Sequence, residues 1–206
     1  MTGTMEDRGL QPTAAALPFI SPATKLGKVG LIVSNFQRSL EFYADIIGLQ
    51  ILARSERSAQ LGVAAENRIL LELEERVGVR RLTGKRFGLY HFALLLRSRA
   101  DLSSFAEHLQ SAAVRAGMSD HLVSEAFYLE DPDSLQIEVY ADRDREGWLR
   151  HDGEIAVATE PLNLRKHLSH RHQPWAGAPL GSTIGHIRRI YKVMQQRFFA
   201  SPRPLL

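Results

Sequence analysis

Two six-residue stretches decide the fold of this chain: Lys28–Val33, with the sequence KVGLIV, and His91–Leu96, with the sequence HFALLL. The second stretch follows the first by 63 residues, and both are short apolar runs that open on a nitrogen-bearing side chain. A later pair of runs, LLEL at 70–73 and QIEV at 136–139, lies 66 residues apart with one Glu inside each run. Self-similarity at a nearly constant spacing indicates that one folding unit occurs twice.

Periodicity assigns the same element order, β-α-β-β-β, to both copies. In the first copy Val29–Val33 predicts a strand, Asn35 a helix N-cap, and the apolar residues spaced by four, three and four from Phe36 to Ile47 predict a helix. In the second copy we expect Asp101 to be the helix N-cap. Further strands are predicted at 49–53, 59–64 and 68–73 in the first copy, and at 89–96, 123–129 and 135–140 in the second.

Composition narrows the function classes. The 206 residues include no cysteine, which excludes disulfide scaffolds, zinc–thiolate sites, iron–sulfur clusters and thiol nucleophiles. The apolar runs are too short to cross a bilayer. We expect no export signal at the N-terminus, since Glu6 and Asp7 precede an apolar stretch that Pro18 interrupts. We therefore expect no membrane partner and a cytoplasmic location.

Charge is divided unevenly along the chain. Residues 1–144 have a net charge of −3, whereas residues 145–206 have +6 and hold five of the eight His residues. One interpretation is an arm that binds nucleic acid with a steep salt dependence. We favour a solvated tail or linker and expect no nucleic-acid partner, because the basic residues lack interleaved aromatics. The imidazoles of His167, His170 and His172 are expected to be exposed.

Two β-α-β-β-β modules would place two sheets around a shared cleft, lined by the first and last strand of each copy. The polar residues at these positions are Lys28, Glu72, His91 and Glu138. An imidazole and two carboxylates suit a divalent ion such as iron(II), manganese, nickel or zinc. Two alternatives stay open, because a strand Glu can point to solvent and a lone His can be a hydrogen-bonded structural residue.

The two copies resemble a known family. The stretch GKVGLIVSNFQRSLEFYADIIGL at 27–49 resembles the opening of a module in the vicinal oxygen chelate superfamily, which includes glyoxalase I, bleomycin resistance proteins and extradiol dioxygenases. The stretches GLYHFALLLRSRADLSSFAEHL at 88–109 and DHLVSEAFYLEDPDSLQIEVYADRDREGW at 120–148 are similar to the first half of catechol 2,3-dioxygenase-like members. The resemblance implies an α+β fold of paired β-α-β-β-β modules with an irregular C-terminal tail.

The resemblance also implies a ligand set. The metal positions of the family fall on Lys28, Glu72, His91 and Glu138, and we predict His91, Glu138 and Glu72 as metal ligands, with iron(II) preferred over manganese, nickel or zinc. Lys28 departs from the family pattern, because an ammonium has no lone pair. The site can therefore be empty, with Lys28 paired to Glu72 or Glu138, or be completed by water.

A second domain is indicated at the C-terminal end. EPLNL at 160–164 resembles the linker of two-domain relatives, and STIGHIRRI at 182–190 resembles the first strand of their second half, with His186 at its first ligand position. We expect a flexible N-terminus at 1–24, a domain of two modules at 25–144 (25–86 and 87–144), a linker at 145–183 and a truncated start of a second domain at 184–206.

Two functions compete at this point. The first is a metal-dependent enzyme, most like an extradiol dioxygenase, whose partner is a small molecule with neighbouring oxygens. The second is a catalytically inactive module of the same fold that binds a small molecule or dimerises. Under either function we expect a homodimer, since the apolar residues of 184–206 need to be covered. Contact of the Lys28 ammonium with Glu72 or Glu138 would favour the inactive module.

Overall fold

The computed structural model describes residues 20–21, 23–79, 88–169 and 173–190 of the chain. The first module has the predicted element order. Its elements are β1 (Val29–Val33), α1 (Phe36–Glu41), a π-helical turn (Phe42–Ile46), β2 (Gln50–Arg54), β3 (Ser58–Val63), a 3₁₀ turn (Ala64–Glu66) and β4 (Arg68–Glu75). As predicted, Asn35 caps α1, because its side-chain oxygen accepts a hydrogen bond from the backbone N–H of Arg38 at 2.9 Å.

The second module repeats this order. Its elements are β5 (Gly88–Leu95), α2 (Arg99–Ser111), β6 (Gly117–Asp120), β7 (Ser124–Glu130) and β8 (Gln136–Asp142). The predicted N-cap, Asp101, is wrong: Ser98 caps α2, accepting a hydrogen bond from the Asp101 N–H at 3.1 Å and donating one to the Asp101 carboxylate at 2.7 Å. Both residues take part in one reciprocal capping arrangement, and the helix starts after the earlier of the two.

Shorter elements follow the second module. They are a 3₁₀ turn (Arg145–Gly147), β9 (Arg150–His151), β10 (Glu154–Ile155), α3 (Leu164–Leu168) and β11 (Thr183–Ile190). Among the described helices, none has the length and apolar character needed to span a membrane.

The strands form two main sheets with matching topology. The first sheet has the order β1-β4-β3-β2 and the second the order β11-β5-β8-β7-β6. The first and last strand of each module pair in parallel, and the other neighbours pair antiparallel. This equivalence confirms the α+β fold of two β-α-β-β-β modules.

Strand β11 breaks the equivalence between the sheets. It lies at the edge of the second sheet, antiparallel to β5, whereas among the described residues β1 has no strand beyond it. Residues 184–190, which the sequence indicates as the start of a second domain, therefore belong to the sheet of the second module. The rest of that predicted domain, residues 191–206, lies outside the described residues.

A common core joins the two modules. The main buried cluster includes Leu40 and Leu71 from the first module and Phe105 and Phe127 from the second. Hydrogen bonds reinforce this contact at the turn between β7 and β8. The Asp133 carboxylate in that turn accepts a hydrogen bond from the Ser34 backbone N–H at 2.6 Å. The helix of one module is thereby tied to a hairpin of the other.

The segment that precedes β11 packs over both modules. Trp175 contacts the Phe105 ring edge-on, with ring centroids 5.1 Å apart, and lies against Gly48. Gly48 has φ +80°, and a Cβ there would lie 2.6 Å from Trp175 Nε1, so both the backbone and the contact need glycine. Its carbonyl also accepts a hydrogen bond from Ala178 at 2.8 Å. This packing fixes the approach of the chain to β11.

Candidate metal centre

Three side chains that can bind a metal ion meet on one face of the second sheet. They are His91 on β5, Glu138 on β8 and His186 on β11. His91 Nε2 lies 3.0 Å from His186 Nε2 and 3.3 Å from Glu138 Oε2. His186 Nε2 lies 3.1 Å from the same carboxylate oxygen. The three ligand atoms therefore form a triangle with nearly equal sides.

The pairing of β5 with β8 brings two of these residues together. The register places Ala93 beside Glu138, and His91 shares the face of Ala93 because alternate strand residues point the same way. Phe92 and Leu94 point to the other face, where they join the main core. In the run HFALLL, Phe92 and Leu94 therefore pack in the core, whereas the His91 imidazole faces the candidate metal centre.

Burial and charge leave both buried ligands in a form that can bind a metal. The side chains of His91 and Glu138 are each 5% exposed, whereas that of His186 is 45% exposed. Burial lowers the pKa of His91 to about 4, against the opposing effect of Glu138, so its imidazole is neutral at pH 7 and keeps a lone pair. Burial alone would raise the pKa of Glu138, but its contacts with His186 and His91 hold it below its ordinary value. Glu138 is therefore a carboxylate at pH 7.

The spacing of the three atoms fits a shared divalent cation. Two ligands bound at about 2.1 Å and at right angles lie about 3.0 Å apart, and the observed separations are 3.0, 3.1 and 3.3 Å. Two imidazoles and one carboxylate on one side of an ion are the ligand set of non-haem iron(II) oxygenases, which keep the opposite positions open. The buried Nδ1 of His91 has no hydrogen-bond partner among the described residues, so packing against Tyr90 and His186 orients this ring.

A tyrosine–histidine pair adjoins the triangle. The Tyr128 hydroxyl lies 2.8 Å from His121 Nε2 and is also hydrogen-bonded to Glu138. The other ring nitrogen of His121, Nδ1, faces the Ala158 carbonyl at 2.8 Å, so the tautomer with its hydrogen on Nδ1 satisfies this contact and leaves Nε2 as an acceptor. Burial and then the charge of Glu138 raise the pKa of Tyr128 well above its ordinary value. Its single hydroxyl proton therefore has two acceptors within reach.

Glu72, one of the three predicted ligands, lies apart from the cluster. Its Oε1 accepts a hydrogen bond from the Lys28 ammonium at 2.6 Å and another from the Gln60 amide at 2.8 Å. The hydrogen bond from Lys28, followed by that from Gln60, lowers the pKa of Glu72. Glu72 and Gln60 line a surface groove of about 500 Å³ on the first sheet. The structure thus brings His91 and Glu138 together and leaves Glu72 paired with an ammonium.

Three residues of the site were absent from the predicted ligand set. His186 had a signal, since the stretch STIGHIRRI places it at a ligand position of the resembled family. Tyr128 and His121 had no signal in the sequence. Their contacts depend on the pairing of β6 with β7 and on the segment after β10 that contains Ala158.

The prediction that His167 is exposed is wrong. Its side chain is fully buried, and its Nδ1 lies 3.0 Å from the Glu125 carboxylate. Arg99 and Arg143 bind the same carboxylate at 2.6 and 2.8 Å. Glu125 therefore ties α3 and α2 to the second sheet. The other two histidines of that group, His170 and His172, lie outside the described residues.

Comparison with known proteins places these observations in a family context. Residues 25–139 match the Glyoxalase/Bleomycin resistance protein/Dioxygenase superfamily. A protein named catechol-2,3-dioxygenase from Bacillus subtilis (strain 168) is 38% identical over 167 residues, which are 80% of this chain and 58% of that protein.

Similar solved structures share less of their sequence with this chain. The cppA protein from Streptococcus pneumoniae TIGR4 is 14% identical, with a TM-score of 0.50, over 78% of this chain and 57% of that one. A glyoxylase/bleomycin resistance protein/dioxygenase domain from Frankia sp. EAN1pec is 22% identical, with a TM-score of 0.48, over 59% of this chain and 94% of that domain. The chain thus spans less than two thirds of the Bacillus and Streptococcus proteins.

Proposed function

We propose a function for this chain from the premise that it belongs to the Glyoxalase/Bleomycin resistance protein/Dioxygenase superfamily, which residues 25–139 match. It is a divalent-metal-dependent enzyme, most like an extradiol ring-cleaving dioxygenase, whose ligands are His91, Glu138 and His186. The convergence of these three side chains within 3.0 to 3.3 Å is the observation that carries the proposal. The catechol-2,3-dioxygenase of Bacillus subtilis, at 38% identity, supports the reaction class.

His186 takes the place that the sequence analysis gave to Glu72. The reason is that the Lys28 ammonium already binds the Glu72 carboxylate at 2.6 Å. His186 Nε2, in contrast, lies 3.0 Å from His91 Nε2. Iron(II) suits two imidazoles and a carboxylate best, and manganese, nickel and zinc are the alternatives. When bound, such an ion would be chelated by two neighbouring oxygens of the substrate and, as iron(II), would supply the reactivity toward dioxygen.

Tyr128 and His121 would handle the substrate proton. A substrate hydroxyl that binds as an oxyanion loses its proton, and His121 Nε2, which lies 2.8 Å from the Tyr128 hydroxyl, is placed to accept a proton through it. Tyr128 can give its proton to His121 and take one from the substrate hydroxyl, which leaves the tyrosine unchanged and His121 protonated.

Aromatic rings beside the triangle suit an aromatic substrate. The Tyr140 ring lies 5.5 Å from that of His186, and the Tyr90 ring lies 5.3 Å from that of His91. Flat side chains next to the ligands can stack against the ring of a diol. The substrate class proposed is therefore a small aromatic molecule with neighbouring oxygens.

The inactive module remains the second candidate, and one observation favours it. In the first module the ammonium of Lys28 neutralises Glu72, the contact that was expected for a position without metal. This pairing bears only on the first module, since Glu138 of the second contacts two imidazoles. A homodimer is compatible with both functions, and the exposed Ile32 and Ile51 on the first module would be covered by it.

The duplication supplies a matched pair of variants for the test. Glu138→Gln and Glu72→Gln remove the equivalent carboxylate from the second and the first module. Protein loaded anaerobically with iron(II) should bind about one ion per chain, lose it with Glu138→Gln or His186→Ala, and keep it with Glu72→Gln. Oxygen uptake with catechol should follow the metal content. A wild-type chain that binds no metal, or equal losses in the two Gln variants, would refute the proposed ligand set.

A further inference from the structure

Strand β11 contains an extra residue at the point where it delivers its ligand. Ile184 pairs with Leu94 and His186 pairs with Ala93, so two steps along β11 correspond to one step along β5. Gly185 is the residue left over, and it forms a β-bulge. Bulges occur at sheet edges and near functional sites, where they redirect a side chain.

The bulge changes which face of the sheet each neighbour of Gly185 occupies. Ile184 is 4% exposed and belongs to the main core, on the side of Leu94. His186 lies on the opposite face, against His91 and Glu138. In a regular strand residues 184 and 186 would share a face, because side chains alternate with a period of two. With Gly185 present, a β11 paired without the bulge could not bury Ile184 and present His186 to the triangle at the same time.

Glycine is required at the bulge because a side chain comes close to its backbone. A Cβ at position 185 would lie 2.0 Å from the Tyr140 hydroxyl and 2.7 Å from Tyr140 Cζ. Tyr140 is only 9% exposed, and its ring contacts His186. A methyl group at 185 would therefore displace either β11 or the ring that supports His186.

We propose that the Gly185 bulge is a positioning device for the metal site, which holds His186 toward His91 and Glu138 while Ile184 stays in the core. The metal part of this inference rests on the proposed function, whereas the placement of the side chains does not. Gly185 touches neither metal nor substrate and acts only through His186.

Three variants test the device through metal affinity. Gly185→Ala should weaken binding of iron(II), measured by anaerobic titration calorimetry, about tenfold or more, the scale of outer-shell effects at metal sites. Gly30→Ala is the matched control, since Gly30 also lies in an edge strand and a Cβ there meets nothing within 4 Å. Deletion of Gly185 should keep affinity within about threefold, because Leu94 and Ala93 are consecutive and the ladder then becomes regular.

A second measurement needs no metal. The chain has no cysteine, so Ile184→Cys introduces a single thiol that the bulge should bury. Adding Gly185→Ala should make this thiol react with a maleimide about tenfold faster or more, because the bulge is lost and the strand shifts. Urea unfolding of each variant separates this local change from global instability.

The outcomes distinguish the two proposals. Unchanged metal affinity and an unchanged, slow thiol reaction in the Gly185→Ala backgrounds would overturn the bulge as a positioning device. Loss of iron binding on deleting Gly185, with the fold intact, would also overturn it. A wild-type chain that binds no metal but shows the expected thiol pattern would refute the proposed function and leave the placement of Ile184 and His186 supported.

Discussion

Replacement of Glu125 by glutamine should remove a pH-dependent part of the stability. The Glu125 side chain is 2% exposed and accepts hydrogen bonds from His167, Arg99 and Arg143. Burial would raise the pKa of Glu125, but these three donors outweigh it and lower the pKa from 4.5 to about 2. A glutamine has one acceptor oxygen, and its amide N–H₂ would face another donor.

The magnitude follows from the pKa of the carboxyl. Each pH unit between the ordinary and the folded value corresponds to about 1.4 kcal/mol, so the lowering from 4.5 to about 2 corresponds to about 3 kcal/mol. Because the folded value is the lower one, this stabilisation is present above pH 4.5 and is lost as the pH falls toward 2. About half of it should be gone at pH 3.

Urea unfolding of the wild type and of Glu125→Gln at pH 7, 5 and 3 measures the effect. The difference in unfolding free energy should be about 3 kcal/mol at pH 7 and 5 and about half of that at pH 3. The exposed Glu130, on the same strand, supplies a control, since Glu130→Gln should change stability by less than about 0.5 kcal/mol. A difference that is the same at pH 7 and pH 3 would refute the assignment of this stability to a lowered carboxyl pKa.

Three further substitutions test other contacts. Tyr128→Phe removes the hydroxyl next to Glu138 and should lower oxygen uptake or metal affinity about 10- to 100-fold, with unchanged urea unfolding as the sign that the fold is intact. Tyr43→Phe leaves a buried Asp131 oxygen without its 2.8 Å donor and should destabilise the chain by about 1 to 3 kcal/mol in urea, and no loss would contradict the contact. Lys28→Met should cost less than about 1 kcal/mol in urea, because the Lys28 side chain is 49% exposed, and should leave the ion at His91, Glu138 and His186 bound; loss of that ion would contradict the assignment of Lys28 to the first module alone.

The fold was predictable because the signals that set it are local. The apolar run Val29–Val33 became β1 with the bounds that its pattern indicates, and the duplicated pattern gave the element order of both modules. The predicted N-cap of α2 was wrong because Ser98 and Asp101, three positions apart, are both suitable N-cap residues. Strand β6 (Gly117–Asp120), which no predicted range included, has little apolar content and is held by its pairing with β7.

The site was only partly predictable because part of it depends on distant contacts. His91 and Glu138 followed from the duplicated runs. The orientation of His186 did not, since it depends on the pairing of β11 with the distant strand β5 and on the bulge at Gly185, which lies against Tyr140. The buried state of His167 likewise depends on a partner far from it in the sequence. Periodicity describes neighbours along a strand and carries no information on such pairs.

The two modules place different chemistry beside an equivalent carboxylate. Glu72 and Glu138 occupy equivalent positions, and a partly buried carboxylate needs a positive partner. In the first module Lys28, directly before β1, supplies an ammonium at 2.6 Å, which satisfies the charge and offers no lone pair. In the second module β5 supplies His91, whose neutral imidazole offers a lone pair and no full charge. A divalent cation would complement Glu138 in the way that the ammonium complements Glu72, and this difference in chemistry is why the proposed metal belongs to the second module.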